Sequence, residues 1–353
     1  MGRANPRHTV VLGMLLGLAA APARGAGGAG LEPGAGVRPD VAVFVDLSDG
    51  GARAGSGRLR VFAGTVLAVH LTAGADQVAV WGFAYGDDVL ARGAVRLDAT
   101  GHGRLRLVAP EVRTRTLCRL VVHVPAGSEA KAVEVFPSSL LVPAAGRLAD
   151  LALAAADPTG RLQTALEAEK VAFDRLETDI QKLIFDGDVA VLAGHRRAGS
   201  LAAACRNLEG RLKRGMMLVV LNPPPKWEAW GFCRHAFADP LASPARLATG
   251  FQQVLRSDDL GNGPWPYALR AEADAVRLAW IEQENTREGA PDSGKTVVHT
   301  LVGAQRVGKG WLVVTMLPQA DDPAADAVGR SILSELLLWA VRAHETDTRT
   351  REG

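Results

Sequence analysis

Between residues 151 and 222 short apolar runs alternate with amphipathic stretches, and this alternation constrains the fold more than any other feature. LALAAADPTG (151–160) reads as a buried strand leading to a turn. RLQTALEAEKVAFDRLE (161–177) follows, with Leu162, Leu166 and Lys170 at helical spacing. DVAVLAG (188–194) is a second buried strand, and GSLAAACRNLEGRLKRG (199–215) is a helix with Leu201, Cys205, Leu208 and Leu212 on one stripe. Arg214 and Gly215 stop that helix, and MMLVVLN (216–222) opens the next strand. Apolar strands joined by helices need cover on both faces, so the expectation is an α/β domain with a mostly parallel sheet.

The preceding stretch has a different grammar. From about Pro39 to Pro143, short alternating runs are broken by turn residues: VAVFVDL, RLRVFAGTVLAVHLTA, QVAVWGFAYG, LARGAVRLDA, GRLRLVAP, TLCRLVVHVP and KAVEVFP. Such runs at roughly ten-residue spacing, without a helical window, predict an N-terminal antiparallel β-sandwich of immunoglobulin-like type over 38–145. The α/β domain is expected over 148–343 and a polar, frayed tail over 344–353. Within it, residues 222–275 read as long loops with short helices. AVRLAWIEQEN, KTVVHTLVGAQ and GWLVVTMLPQ return to strand character, the last two joined by a hairpin at 306–310. Asp322-Pro323 reads as an N-cap and first-turn proline.

The N-terminus reads as a signal peptide over 1–23. MGRANPRH is basic, TVVLGMLLGLAAA is apolar and Ala21-Pro22-Ala23 supplies small residues for cleavage. A Gly/Ala-rich flexible leader, 24–37, would follow. These features predict a secreted or periplasmic protein with no membrane span after cleavage. Net charge is +2, from 40 basic and 38 acidic residues, which gives no bulk field for nucleic acid. Three cysteines (Cys118, Cys205, Cys233) make no disulfide framework, and the sequence leaves a Cys205–Cys233 bridge open. The eight histidines lack ligand spacing, so neither metal nor cofactor is expected. Gly303–Lys309 begins like a P-loop, but Gly310 replaces the Ser/Thr and the context is strand–turn–strand.

The element order from 151 to 343 resembles the class I glutamine amidotransferase-like fold, a flavodoxin-type α/β domain, and in particular the degenerate copies that accompany β-sandwiches in exported bacterial proteins and β-galactosidase-type glycosidases. The resemblance places the oxyanion-hole glycine at Gly194, before His195. It places the nucleophile elbow at or near Asn222, after MMLVVL and before Pro223-Pro224-Pro225. The family's His-Pro-Glu corresponds to Leu317-Pro318-Gln319. Asn222, Leu317 and Gln319 cannot transfer protons near neutral pH, so amidotransferase catalysis is not expected and no catalytic residue is assigned. The prolines are also expected to deny the strained elbow.

Loops after parallel strands converge at one edge, which would gather His195, Arg196, Arg197, Asn222, Lys226, Trp227, Trp230 and Gln319. Aromatic faces beside amides and cations suit a glycan or another polar ligand. The reading is a non-catalytic binding or assembly module with a protein partner, a homo-oligomer or a glycan. The alternative is a hydrolase using Cys233/His235 or the Asp-rich loop 257–265.

Overall fold

The structure is a computed structural model that describes residues 42–47 (backbone), 59–125, 127–176, 185–270, 274–284 and 295–352. The proposed signal peptide and leader lie outside the described residues.

The first part of the chain is a two-sheet sandwich. Its strands are β1 (Ala42–Leu47), β2 (Leu59–Phe62), β3 (Val66–Thr72), β4 (Val78–Tyr85), β5 (Asp88–Arg96), β6 (His102–Val108), β7 (Thr116–Val124) and β8 (Gly127–Phe136). One sheet has the order β1-β3-β6 and the other β2-β8-β7-β4-β5. The run expected as one strand, RLRVFAGTVLAVHLTA, is two, because Gly64 (φ 80°) turns the chain between them. The expected all-antiparallel pairing has one exception, the parallel pair β2–β8. Period-two alternation sends Leu67, Val69 and Leu71 from one sheet and Phe83, Leu120, Val122 and Val133 from the other into a shared core.

A short helix, α1 (Ala145–Ala149), leads into the second part. There β9 (Leu153–Ala156), α2 (Arg161–Ala168), β10 (Asp174–Arg175), β11 (Val189–Leu192), α3 (Ala198–Arg214) and β12 (Met217–Leu221) follow in order. All four residues of β9 and of β11, and all five of β12, are buried, as strands covered on both faces require. The helix expected over 161–177 ends at Ala168. Lys170 adopts φ 58°, and the following residues extend into β10. Glu169 turns inward at this break, accepting from the Ser139 hydroxyl at 2.8 Å and from the backbone N–H of Leu140 at 2.6 Å and Leu141 at 3.0 Å.

The segment expected as loops with short helices contains four strands beside its loops, β13 (Glu228–Ala229), β14 (Phe232–Leu241), β15 (Ala245–Leu247) and β16 (Trp265–Arg270), and one one-turn helix, α4 (Ser257–Leu260). Polar residues along β14 hid its periodicity, because most of that strand lies near the sheet edge and is incompletely buried. The chain continues through β17 (Val276–Glu284), β18 (Thr296–Val307), β19 (Gly310–Thr315) and α5 (Ala327–Glu352). Helix α5 begins later than Asp322-Pro323 implied, with Asp326 Oδ1 accepting from the Val328 N–H at 2.8 Å. It also takes in the polar segment 344–352, where fraying was expected.

Eleven strands form one sheet. β10-β9-β11-β12-β19 are parallel neighbours, and from β18 onward the pairing is antiparallel. Helices α2 and α5 cover one face of the parallel section, and α3 covers the other with its Leu201, Cys205, Leu208 and Leu212 stripe. The fold is therefore predominantly β, with several sheets and a five-stranded parallel segment in the largest of them.

Candidate functional site at the strand ends

The parallel register fixes which loops meet. Ala156 pairs with Leu192, Leu192 with Val220, and Leu221 with Thr315. The residues just beyond these pairs, Asp157, Gly194-His195, Asn222 and Met316-Leu317, thus leave the sheet at one level. This is the edge at which open α/β sheets bind ligands.

Asn222 is the hinge of this edge. Its backbone takes φ 44°, a left-handed conformation that Asn tolerates better than most residues. Its N–H donates to the Thr315 carbonyl at 2.9 Å. Its side-chain Nδ2 donates to the Leu317 carbonyl at 2.8 Å and to Asp321 Oδ1 at 2.7 Å. The expectation that the prolines deny a strained turn is corrected: the strained backbone is present at Asn222. Lys226 (φ 64°) extends that strain along the same loop, and Trp230 (φ 43°) carries it into the β13–β14 turn.

Asn222 and Leu317 are therefore in contact, and Gln319 sits on the short 3-10 turn Pro318–Asp321 that follows Leu317. Leu317 is fully buried as core packing. Asn222 Oδ1, Gln319 Oε1 and His195 Nε2 are buried with no hydrogen-bond partner. Burial lowers the His195 pKa below the ordinary imidazole value, partly opposed by the nearby Asp157 carboxylate. Asp157 itself is saturated. It accepts from Thr159 N–H and Oγ1 at 2.8 Å each and from the Leu162 N–H at 2.9 Å, capping α2. Gly194 (φ 68°) is glycine for a steric reason as well, since a Cβ there would stand 2.3 Å from Asp157 Oδ1.

The remaining expected site residues divide. Arg196, Arg197 and Lys226 are exposed on the strand-end loops. Trp227 is corrected as a ligand-facing ring: it is 1% exposed and packs in the core behind α3. Trp230 is half-buried against the same cluster.

Sequence reasoning missed Asp321, Arg234 and Arg161. Asp321 is open to solvent on one side, yet burial around its carboxyl raises the pKa above the usual range. The Asn222 amide, then Arg234 and Arg161, oppose that shift. Arg234 reaches this edge from β14, donating from Nη1 to the Pro223 carbonyl at 2.6 Å and stacking 3.5 Å over the Tyr267 ring. Arg161 pairs with Asp322 at 3.3 Å. The available signal was the acidic pair Asp321-Asp322 two residues after Gln319.

The other proposed chemistries find less. Asp259, in the Asp-rich loop, is buried and held by both guanidinium nitrogens of Arg115, so it is not a free acid. Cys233 is half-buried on β14, and His235 packs edge-on against Phe237 at 5.3 Å. All three cysteines are free, and burial pushes the Cys205 thiol up to about 12. Among the described residues no group of three or more His, Cys, Asp or Glu is arranged to hold a metal. Nor is any helix among them long and apolar enough to cross a membrane. A cavity of about 240 Å³ lies at the opposite end of the parallel strands, where Asp186 and Arg211 form an ion pair among its lining residues.

No family model matches the sequence, and no curated protein matches it. Among solved structures, an exo-β-1,4-mannosidase from an Opitutaceae bacterium shares 16% identity at a TM-score of 0.31, over 54% of this chain and 35% of that one. A carbohydrate acetylesterase from Xanthomonas citri shares 9% identity at 0.19, over 46% and 57%. The titin M10–obscurin-like 1 Ig complex shares 22% at 0.17, over 23% and 84%. The chain thus spans about a third and just over half the length of the two enzymes, and likeness this low assigns no activity.

Proposed function

We propose that this chain is an exported, non-catalytic binding or assembly module: an immunoglobulin-like sandwich joined to a degenerate class I glutamine amidotransferase-like domain. Its ligand is polar, of glycan type, and docks at the carboxyl edge of the parallel strands. One observation carries the reading. Asn222, Leu317 and Gln319 meet at one strand-end edge, and the left-handed turn at Asn222 holds an amide where a nucleophile would be needed. An amide, a buried leucine and an uncharged glutamine offer hydrogen bonds and shape but no proton transfer.

The test pairs two measurements on the full chain. Ammonia release from glutamine should stay at the background rate, and calorimetric titration with a panel of soluble glycans should find a ligand. Ammonia release that disappears in Asn222→Ala would overturn the non-catalytic reading. A failure of every glycan to bind would overturn the ligand assignment.

A further inference from the structure

We propose that the outer face of the three-stranded sheet β1-β3-β6 is an anion site. It takes a compact ligand carrying two oxyanion groups, phosphoryl or carboxylate, with Arg104 and Arg106 as the two anchors. Alternation along the strands builds this face. Every second residue of β3 and β6 faces the sandwich core, so the intervening ones share the outer side. The register stacks them in rows: Thr72 with His102, His70 with Arg104, Ala68 with Arg106 and Val66 with Val108. An open cleft of about 400 Å³ lies over the two middle rows, lined by Ala68, Val69, His70, Arg104, Leu105 and Arg106. That volume falls in the range of small-molecule sites.

Alternation explains why the outer residues are polar, but not why they share one sign. Among the described residues the cleft is lined by no acidic side chain. Nor does the side chain of Arg104, Arg106 or His70 have a hydrogen-bond or ion-pair partner among them. Arg60 and Arg115 differ, since Glu134 and Asp259 hold both. Arg104 and Arg106 thus keep their planar forks of donors for a carboxylate or a phosphate. Their Cα atoms stand about 7 Å apart along the strand, so the matching ligand carries its two oxyanions a short bridge apart. His70, opposite Arg104, adds a ring nitrogen, and the small Ala68, opposite Arg106, leaves room above the sheet. The basic zone ends after these rows. Thr72 Oγ1 and His102 Nδ1 engage each other at 3.2 Å on one side, and the exposed Val108 lies on the other. A long polyanion would gain no more contacts here than a compact one, which favours the small ligand.

The experiment is a calorimetric titration of the full chain with inorganic pyrophosphate and with succinate, against acetate as the single-oxyanion control. NMR of the His70 imidazole locates the binding. One dianion or both should bind at one site per chain, more tightly than acetate, and shift the His70 resonances. The tighter of the two tells a phosphoryl ligand from a carboxylate one. Arg104→Gln and Arg106→Gln should each weaken binding about threefold to tenfold. Neither should lower the unfolding midpoint, because neither guanidinium holds a partner in the fold. Arg119→Gln removes an exposed cation from β7 in the other sheet and should leave affinity unchanged. Equal weakening in Arg119→Gln would reduce the effect to net charge and overturn the site. Dianions that bind no more tightly than acetate, or shift resonances elsewhere but not His70, would overturn it as well. A loss of binding in Asp46→Asn, at the acidic position in register with Ala68 on β1, would overturn the anion reading itself.

Discussion

Arg115 on the sandwich grips both carboxylate oxygens of Asp259 on α4, while its Nε donates to Glu134 Oε1 at 2.6 Å. Arg60 closes the cluster, lying 3.3 Å from Glu134 Oε2 and 3.5 Å from Asp259 Oδ1. Two buried carboxylates are thus held by two partly buried arginines where the sandwich meets the α/β part. Removing one partner strands a charge in a poorly solvated place. Asp259→Ala should therefore destabilise the protein by about 3–5 kcal/mol. Chemical denaturation of the full chain checks this, and a cost under about 1 kcal/mol would mean the cluster is effectively solvated.

The same cluster sets an acid limit. Burial alone would raise the Glu134 pKa, but the hydrogen bond and charge of Arg115, then of Arg60, hold it below the usual carboxylate range. A depressed folded-state pKa stabilises above the ordinary value and is lost as pH falls through the lowered one. Glu335 behaves oppositely: burial raises its pKa against the N–H groups of Val254 and Leu255, so its contribution fades as pH rises above the ordinary range. Glu134→Gln should flatten the acid side of a stability–pH curve, whereas Glu335→Gln should act on the side above the ordinary carboxylate pKa. Identical curves for the two variants would contradict both assignments.

Trp227 is core. Trp227→Ala should cost about 3–5 kcal/mol by leaving a cavity behind α3, with no specific effect on ligand affinity measured where the variant remains folded. A variant of wild-type stability that had lost binding would return Trp227 to the site.

Asn222 offers a backbone test and a chemical one. Its φ of 44° suits Asn or Gly and strains a β-branched residue, so Asn222→Val should lose about 1–3 kcal/mol while Asn222→Gly loses less. Asn222→Cys supplies a thiol but no base, since position 317 is a buried leucine. Ammonia release from glutamine should remain at background in that variant, and measurable hydrolysis would show that another residue takes the proton.

What could be read beforehand followed periodicity. The parallel strands and the apolar stripe of α3 were legible because burial on both faces leaves uninterrupted apolar runs and a 3.6-residue stripe. β14 was missed because its exposed, polar residues carry no such pattern. The strand-end positions of His195, Asn222 and Gln319 followed from chain order. Asp321 and Arg234 did not, since Asp321 is oriented by an amide ninety-nine residues away and Arg234 arrives from an antiparallel strand. Trp227 and Trp230 are both loop tryptophans in sequence, and only packing against α3 separates a buried ring from a partly exposed one.

The ionic cluster between the two parts has a kinetic consequence. Arg60 and Arg115 lie 199 and 144 residues from the Asp259 groups they hold, so these contacts cannot form until both parts have folded and docked. Interactions that assemble this late are largely absent from the folding transition state, and they act by slowing unfolding more than by speeding folding. The chain should then escape its native state slowly and as one unit, with Asp259→Ala accelerating unfolding and leaving the refolding rate nearly unchanged.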